Sequence, residues 1–305
     1  MKQKLKINFV DFWPSLVKTD NYFFHLLNTE YDVEIDEREP DILFHSVDYF
    51  NRKEHLRYDN GKTIKVFYTG ENRRVNFDHS HFAFSFDYSE NERNYRLPLW
   101  AFHLNWFNVP HCDERDQSYL HPIDAFLEKK IDKDLIRKEK KEFCAFVASH
   151  GKGKRLEFVP KLHHRKPVAC GGKLYNNIGG QIQGRGDQKW KIDFLNQFKF
   201  NISFENSSTP GYVTEKIIQP MFSNTIPIYW GSERVNEEFN EKSFINAHSF
   251  SNDEDLIEEI LSVYDNEDKY FNMLGQPWLP NGVFPEYIKP KSVLSFFKEQ
   301  VLKSS

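Results

Sequence analysis

Short apolar runs that each end in a turn recur along the whole chain, and this pattern limits the possible folds more than any other feature. In the first half the runs are residues 6–13, 41–46, 63–70 and 81–88, and a helical stretch at 22–27 separates the first two. Runs with so few polar interruptions are typical of parallel strands that are buried on both faces. Strands that alternate with helices build an α/β layered structure, so we expect that fold class here.

The second half of the chain repeats the pattern. Apolar runs at 142–149, 199–206 and 225–232 each lead into glycine, serine or asparagine, and helical patterns occupy 214–222 and 253–264. In the last of these, the apolar residues recur at the spacing of an amphipathic helix. The repetition predicts a second α/β domain, with a cleft between it and the first.

A strongly charged segment, residues 112–141, separates the two series of strands. It fits either a charged connector between domains or the solvated face of a helix, and both interpretations place a boundary there. We therefore expect an N-terminal domain at 1–140 and a C-terminal domain at 141–285. The chain has 305 residues, which is enough for two cores.

The last residues, 286–305, predict a terminal helix. Leu294, Phe297 and Val301 recur at helical spacing and give the segment one apolar face. We expect this face to dock on one of the two domains.

Composition excludes some classes of function. A formal net charge of −4 argues against a mainly electrostatic nucleic-acid binder, since such proteins carry an excess of lysine and arginine. The three cysteines are too few and too scattered for a disulfide framework, and none forms a metal-binding pair, so a reducing compartment fits best. No apolar run is long enough to span a membrane. We expect a cytoplasmic protein, and peripheral contact with the inner membrane stays open.

The densest candidate site is the segment 204–232. A strand ends at Phe204, a loop of turn-forming residues follows, and Thr214 stands where a helix would be capped. Helix N-termini at the carboxyl ends of parallel strands favour phosphate, and a bound anion would explain the cation Lys216 in the first helical turn. An ordinary strand–loop–helix unit, in which Glu215 complements the helix dipole, fits the residues equally well.

Two further segments are candidates. Residues 148–160 form a glycine-containing basic loop that lacks the spacing of a P-loop, but Lys154 and Arg155 are suited to hold a diphosphate by charge-assisted hydrogen bonds. A solvated basic loop is an equal alternative. Glu71 follows a strand end and Gly70, where a carboxylate can act as a general base. On the residues alone, a surface glutamate explains that position better.

Two apparent metal motifs are better explained by secondary structure. Asp253 and Asp255 match a D-x-D pattern, but they begin an amphipathic helix, where acidic residues are favourable. His163 and His164 are adjacent, so on a helix their side chains diverge and cannot share a metal ion.

A family resemblance adds to this interpretation. The segment FENSSTPGYVTEKI, followed by TIPIYWGS, closely resembles the donor-binding signature of the α1,3/4-fucosyltransferases, glycosyltransferase family ten. It is most similar to the bacterial, Helicobacter-like members. The resemblance continues through FVASHGKGKR, YTGEN and SFDYSENERNYRLPLW, so it covers nearly the whole chain. It implies two Rossmann-like domains that face each other across a cleft, the glycosyltransferase B fold, with the acceptor held mainly by the first domain and GDP-fucose by the second.

The resemblance also implies an activity and its residues. It implies an inverting α1,3-fucosyltransferase that moves L-fucose from GDP-β-L-fucose to N-acetylglucosamine in N-acetyllactosamine-type glycans, giving a Lewis X-type product. Glu71 matches the general base, and Arg155 and Lys216 match the cations that hold the diphosphate and stabilise the GDP leaving group. Asn206, Tyr212, Glu215 and Lys154 are the remaining donor-binding candidates.

Cofactors and partners follow from the same resemblance. The two cations imply that no metal ion is required, and stimulation by Mn²⁺ or Mg²⁺ stays open. The expected partners are GDP-fucose and an oligosaccharide or glycolipid acceptor that contains N-acetyllactosamine, with no nucleic acid. The alternatives are a transferase with a different nucleotide-sugar donor or an α1,4 linkage, and a non-catalytic glycan-binding protein.

Overall fold

The computed structural model describes residues 2–48, 50–110, 120–182 and 189–304, and it shows an α/β chain with parallel sheets, as the apolar runs predict. The chain divides into two compact units. The first consists of Met1–Gln117 together with Pro285–Ser305, and the second is Ser118–Phe284. Residues 120–140, which the sequence assigns to the N-terminal domain, therefore group with the second unit.

The first unit contains a six-stranded parallel sheet in the order β2-β1-β3-β4-β5-β6. Its central strands are buried along their whole length, which explains their continuous apolar sequences. Its elements before the chain leaves the unit are β1 (Lys4–Val10), α1 (Tyr22–Asn28), β2 (Asp32–Ile35), β3 (Ile42–His45), β4 (Ile64–Tyr68), β5 (Phe82–Ser85) and β6 (Asn94–Arg96).

The second unit contains a five-stranded parallel sheet in the order β11-β10-β9-β7-β8. Its elements are α2 (Ile123–Leu127), α3 (Lys133–Glu139), β7 (Glu142–Phe146), α4 (Lys154–Arg165), β8 (Val168–Cys170), α5 (Lys189–Leu195), β9 (Phe198–Phe204), α6 (Glu215–Phe222), β10 (Ile226–Trp230), β11 (Ile245–Asn246), α7 (Asp253–Asp265) and α8 (Glu267–Leu274). Single turns of 3₁₀-helix lie at Val235–Glu237, Glu241–Ser243, Ala247–Ser249 and Pro280–Gly282.

The strand order of the second sheet reverses between β7 and β9. The second strand of this unit, β8, lies on one side of β7, and all later strands lie on the other. In open α/β sheets such a reversal leaves a crevice at the carboxyl ends of the two strands, and ligands bind there. We call the side of this sheet at which its strands end the carboxyl edge.

The chain returns to the first unit through α9 (Pro290–Phe296), which is followed by a π-helical turn at Phe297–Val301. The ring of Phe297 is fully buried and stacks on Phe84 with a centroid distance of 4.8 Å. The predicted terminal helix is therefore confirmed, and its apolar face docks on the core of the first unit. Further 3₁₀ turns of this unit lie at Glu54–Tyr58, Leu99–His103 and Glu286–Ile288.

Two predicted helix starts are confirmed by their capping geometry. Thr214 caps α6, since its hydroxyl accepts a hydrogen bond from the backbone N–H of Lys216. Asn252 caps α7, so Asp253 and Asp255 lie in the first turn of a helix, as expected. Within the described ranges, no helix is both long and apolar enough to cross a bilayer.

Candidate active site

Arg155 joins the two strand ends at the reversal point. It lies in the first turn of α4, which follows β7, and its side chain is almost fully buried. Its Nε donates to the carbonyl oxygen of Phe204 at 3.0 Å, and its Nη1 donates to Oδ1 of Asn206 at 2.8 Å. The guanidinium is thus held by the last residue of β9 and by Asn206, which is exposed in the loop that follows.

The charge of Arg155 is held in a poorly solvated environment. Burial lowers its pKa, and the nearby charges of Glu205 and Glu215 oppose this change. A guanidinium stays protonated in proteins, so the site keeps a fixed cation at the end of β9. Electrostatic interactions of such a group are stronger than in water because few water molecules screen them.

A second cation, Lys216, is fixed by a buried network. Its Nζ lies 2.9 Å from Oε2 of Glu205 and donates to Oγ1 of Thr214 at 2.9 Å. The side chain of Glu205 has no solvent exposure and also accepts hydrogen bonds from the backbone N–H and the hydroxyl of Thr214, at 2.9 Å and 2.8 Å. The cap of α6 and the orientation of the lysine therefore depend on one carboxylate.

Lys216 remains a cation at neutral pH. Burial on its own would lower its pKa, but the carboxylates of Glu205 and Glu215 outweigh burial, and the pKa is raised. Oε1 of Glu215 lies 3.6 Å from the ammonium nitrogen. The lysine is therefore a permanent positive charge in the first turn of α6.

The loop after β9 is tied to the loop after β10. Gly211, with φ of +81°, donates its N–H to the Ser232 hydroxyl at 2.9 Å, and the Ser232 N–H donates to the hydroxyl of Tyr229 at 3.2 Å. Tyr212, the next residue in the chain, is buried. A Cβ on Gly231 would lie 2.5 Å from Cγ of Glu205, so only glycine leaves room for the carboxylate that holds Lys216.

Lys154 has a different environment from the other donor candidates. Its Nζ pairs with Oδ1 of Asp253 at 2.8 Å, and Lys161 pairs with the other oxygen of the same carboxylate at 2.7 Å. Burial acts to raise the pKa of Asp253, but hydrogen bonds from the two lysines lower it overall. The contact ties α4 to α7, and the donor-binding role of Lys154 stays a prediction.

Glu71 lies in the first unit, three residues after the end of β4. Its side chain is exposed, and its backbone N–H donates to the hydroxyl of Thr69 at 3.0 Å. The carboxylate thus follows the end of a parallel strand, where a sheet presents catalytic groups. The structure brings the second-unit residues Arg155, Asn206, Glu215 and Lys216 together, and it leaves Glu71 to the first unit.

In the sequence, Glu205 stands out only as part of the FEN motif. A charged residue directly after an apolar strand is nevertheless a signal of its own. Charged side chains are almost never fully buried without a partner, so such a position predicts an ion pair.

A metal-binding cluster is absent from the described part of the chain, where no three His, Cys, Asp or Glu side chains converge on one point. Cys144 and Cys170 are buried free thiols on β7 and β8. His163 and His164 both lie on α4, and Nδ1 of His163 accepts a hydrogen bond from the N–H of Val168 at 3.0 Å. Cys112 lies outside the described residues.

Comparisons with known proteins agree with this geometry. Residues 7–103 match the model of the alpha-(1,3)-fucosyltransferase FucT N-terminal domain, and residues 137–275 match that of the glycosyltransferase family 10 (fucosyltransferase) C-terminal region. The alpha-(1,3)-fucosyltransferase FucT of Helicobacter pylori is 36% identical over 263 residues, which are 80% of this chain. The chain belongs to glycosyltransferase family 10. It spans 53% of the length of the H. pylori relative.

Further similar proteins extend the comparison. An alpha-(1,4)-fucosyltransferase of Arabidopsis thaliana is 25% identical over 152 residues, covering 45% of this chain and 36% of that protein. The crystal structure of an α1,3-fucosyltransferase matches with a TM-score of 0.75 and 30% identity over 97% of this chain and 90% of that one. The crystal structure of an α1,3-fucosyltransferase with GDP-fucose matches with a TM-score of 0.74, 30% identity and coverage of 98% and 90%. The predicted family and fold are confirmed.

Proposed function

We propose that this protein is an inverting α1,3-fucosyltransferase that transfers L-fucose from GDP-β-L-fucose to N-acetylglucosamine in N-acetyllactosamine-type glycans. The observation that carries the proposal is the pair of fixed cations, Arg155 and Lys216, at the reversal point of the second sheet. The similarity to a structure that contains GDP-fucose supports the choice of donor.

The two cations are suited to the diphosphate of the donor. When the bond between the fucose anomeric carbon and the diphosphate oxygen breaks, its electron pair passes to that oxygen, and negative charge develops on GDP. Arg155 and Lys216 are held in position before the reaction, so they stabilise this charge without a reorganisation cost. Because both are permanent cations, we propose that the reaction needs no divalent metal ion.

Glu71 supplies the other half of the chemistry in this proposal. Its carboxylate takes the proton from the acceptor hydroxyl, and the oxygen attacks the anomeric carbon from the side opposite to GDP. The attack inverts the β configuration of the donor to α in the product. A carboxylate that removes this proton contributes about 100- to 10,000-fold to the rate in typical general-base catalysis.

The proposal is tested by GDP release from GDP-fucose and N-acetyllactosamine, with EDTA in a parallel reaction and GDP-mannose as the control donor. Release that requires both substrates and persists in EDTA supports a metal-independent fucosyltransferase. Release with GDP-mannose instead would favour a transferase with another donor. Tight binding of N-acetyllactosamine without affinity for GDP would identify a non-catalytic glycan-binding protein.

Linkage and location need separate measurements. Relatives of this chain include enzymes named for both α1,3 and α1,4 transfer, so methylation analysis of the product must decide between the two hydroxyls. The Lewis X-type product, the cytoplasmic location and peripheral membrane contact stay predictions.

A further inference from the structure

The charges of the donor site, as described so far, cancel. Arg155 and Lys216 contribute two positive charges, and Glu205 and Glu215, which interact with both cations, contribute two negative ones. The diphosphate of a nucleotide sugar carries two negative charges of its own. A site that binds it tightly therefore needs positive charge beyond these four groups.

Lys191 lies beside this cluster on a neighbouring helix. It belongs to α5, which packs against α6 and β9. The hydroxyl of Ser223, at the end of α6, donates to the carbonyl oxygen of Ile192 at 3.2 Å and fixes α5 next to α6. Helical side chains point towards the N-terminus of their helix, and α5 runs away from the carboxyl edge into β9. The side chain of Lys191 is therefore tilted towards the carboxyl edge of the sheet.

The electrostatic environment of Lys191 agrees with this position. Four charged groups act on its ammonium, and they are the same four that form the donor-site cluster: Glu215 and Lys216 on α6, Glu205 after β9, and Arg155 on α4. Lys191 therefore lies within electrostatic range of both Arg155 and Lys216.

The ammonium of Lys191 is not used by the fold. It donates no hydrogen bond to any residue within 2–48, 50–110, 120–182 or 189–304, whereas the buried Nζ of Lys140 donates to Thr225 Oγ1 at 2.8 Å and to the carbonyl of Leu195 at 3.2 Å. Burial lowers the pKa of Lys191 to about 8. Its side chain is only partly buried, so the ammonium is within reach of a ligand, and no acceptor among the described residues competes with a phosphate oxygen for it.

We propose that Lys191 is a third cation of the donor site, and that its ammonium contacts a phosphate oxygen of GDP-fucose directly. The inference rests on the proposed function, because it assumes the diphosphate as ligand. Lys191 would give the cluster the net positive charge that Arg155 and Lys216, neutralised by their two carboxylates, do not provide.

The test compares GDP-fucose binding by the wild type, Lys191→Met, Lys191→Arg and Lys189→Met, measured by titration calorimetry. Lys191→Met keeps the aliphatic stem and removes the charge, and we expect it to raise the Kd about 10- to 100-fold, as for loss of a charge-assisted hydrogen bond. Lys191→Arg should recover part of the affinity. Lys189→Met removes the same charge from an exposed position on the same helix and should change the Kd less than about threefold.

A second measurement uses the wild type alone. The diphosphate diester of GDP-fucose keeps its charge between about pH 7 and pH 9, while the Lys191 ammonium loses its proton near pH 8. Lys216, whose pKa is raised, and Arg155 stay protonated over this range. We therefore expect the affinity of the wild type to fall as the pH rises through this window and the affinity of Lys191→Met to stay level.

The outcomes separate this inference from the proposed function. If the wild type does not bind GDP-fucose at any pH, the proposed function itself fails. If the wild type binds and Lys191→Met binds equally well across this pH range, Lys191 is no part of the site. If Lys191→Met does not fold, Lys191→Gln takes its place in the same titration, with the same expected loss of affinity.

Discussion

The carboxylate of Glu205, which is fully buried, lies 2.9 Å from the ammonium of Lys216 and orients it at the start of α6. Removal of one partner from a buried ion pair leaves the other without compensation, which costs about 3–5 kcal/mol. We expect Glu205→Ala to lower the free energy of unfolding by about that amount. Urea denaturation measures the change.

A matched control for this prediction is Glu237→Ala. Glu237 forms an exposed ion pair with Arg234 at 2.6 Å, and such pairs contribute about 0–1 kcal/mol. A loss in Glu205→Ala no larger than in Glu237→Ala would contradict the structural role of the buried carboxylate.

Glu71 and Lys216 should differ in the step that they affect. Glu71→Gln removes the proposed base, so kcat should fall about 100- to 10,000-fold while the Kd for GDP-fucose changes little. Lys216→Ala removes a cation that interacts with the donor before and during bond cleavage, so both parameters should worsen, with the Kd rising about 10-fold or more. Steady-state kinetics and calorimetry separate the two. Weaker donor binding by Glu71→Gln would reassign that residue to the donor site.

The parts of the fold that the sequence predicted are those with long, uninterrupted apolar runs. The run at 199–206 became β9 (Phe198–Phe204), which is buried at almost every position. The edge strand β2 is only four residues long and partly exposed, and β8 has three residues. Strands this short leave too few residues for a periodic pattern, so hydrogen bonding to their neighbours defines them.

The domain assignment of 120–140 also depends on contacts that the sequence does not show. Nη1 of Arg137 pairs with Asp134, and its Nε pairs with Glu267, which is 130 residues away in the chain. Nζ of Lys140 donates to the carbonyl oxygen of Leu195, the last residue of α5. A charged composition indicates a boundary, but it cannot indicate the side on which the charged helix packs. The side on which it packs is set mainly by Ile136, whose buried side chain belongs to the core of the second unit.

The same limit applies to the candidate site. Arg155 and Asn206 lie 51 residues apart in the chain and 2.8 Å apart in space. No local pattern connects them, so the family resemblance was needed to select both. Lys191 carries no sequence signal at all, since its significance comes from the packing of α5 on α6.

Gly172 should not tolerate a side chain. A Cβ there would lie 2.3 Å from the backbone oxygen of Ala148, and backbone cannot move aside as a flexible side chain can. We expect Gly172→Ala to destabilise the second unit by about 1–3 kcal/mol or more. Gly180→Ala is the control, because a Cβ at Gly180 would meet nothing within 4 Å. Equal thermal stability of the two variants would show that the loop after β8 adjusts.

His45 should make the first unit sensitive to acid. Its ring is buried at the end of β3, stacks on the ring of His55 at 4.7 Å, and lies 2.9 Å from the hydroxyl of Ser80. Burial, followed by the neighbouring charge of His55, lowers its pKa to about 3. In the unfolded chain a histidine has a pKa of about 6.5, so the unfolded state binds a proton first as the pH falls.

The sign of the effect follows from this difference. The contribution of His45 to the free energy of unfolding is fully present above about pH 6.5 and is lost progressively as the pH falls towards 3. The loss reaches about 2–3 kcal/mol by pH 4.5. His45→Gln removes the titrating group, so its unfolding free energy should change less than that of the wild type between about pH 7 and 4.5. Part of the dependence should persist, because burial also lowers the pKa of His81. If the unfolding free energies of the two proteins fall equally with pH, the ring of His45 takes up its proton as readily in the folded state as in the unfolded chain, and the prediction is wrong.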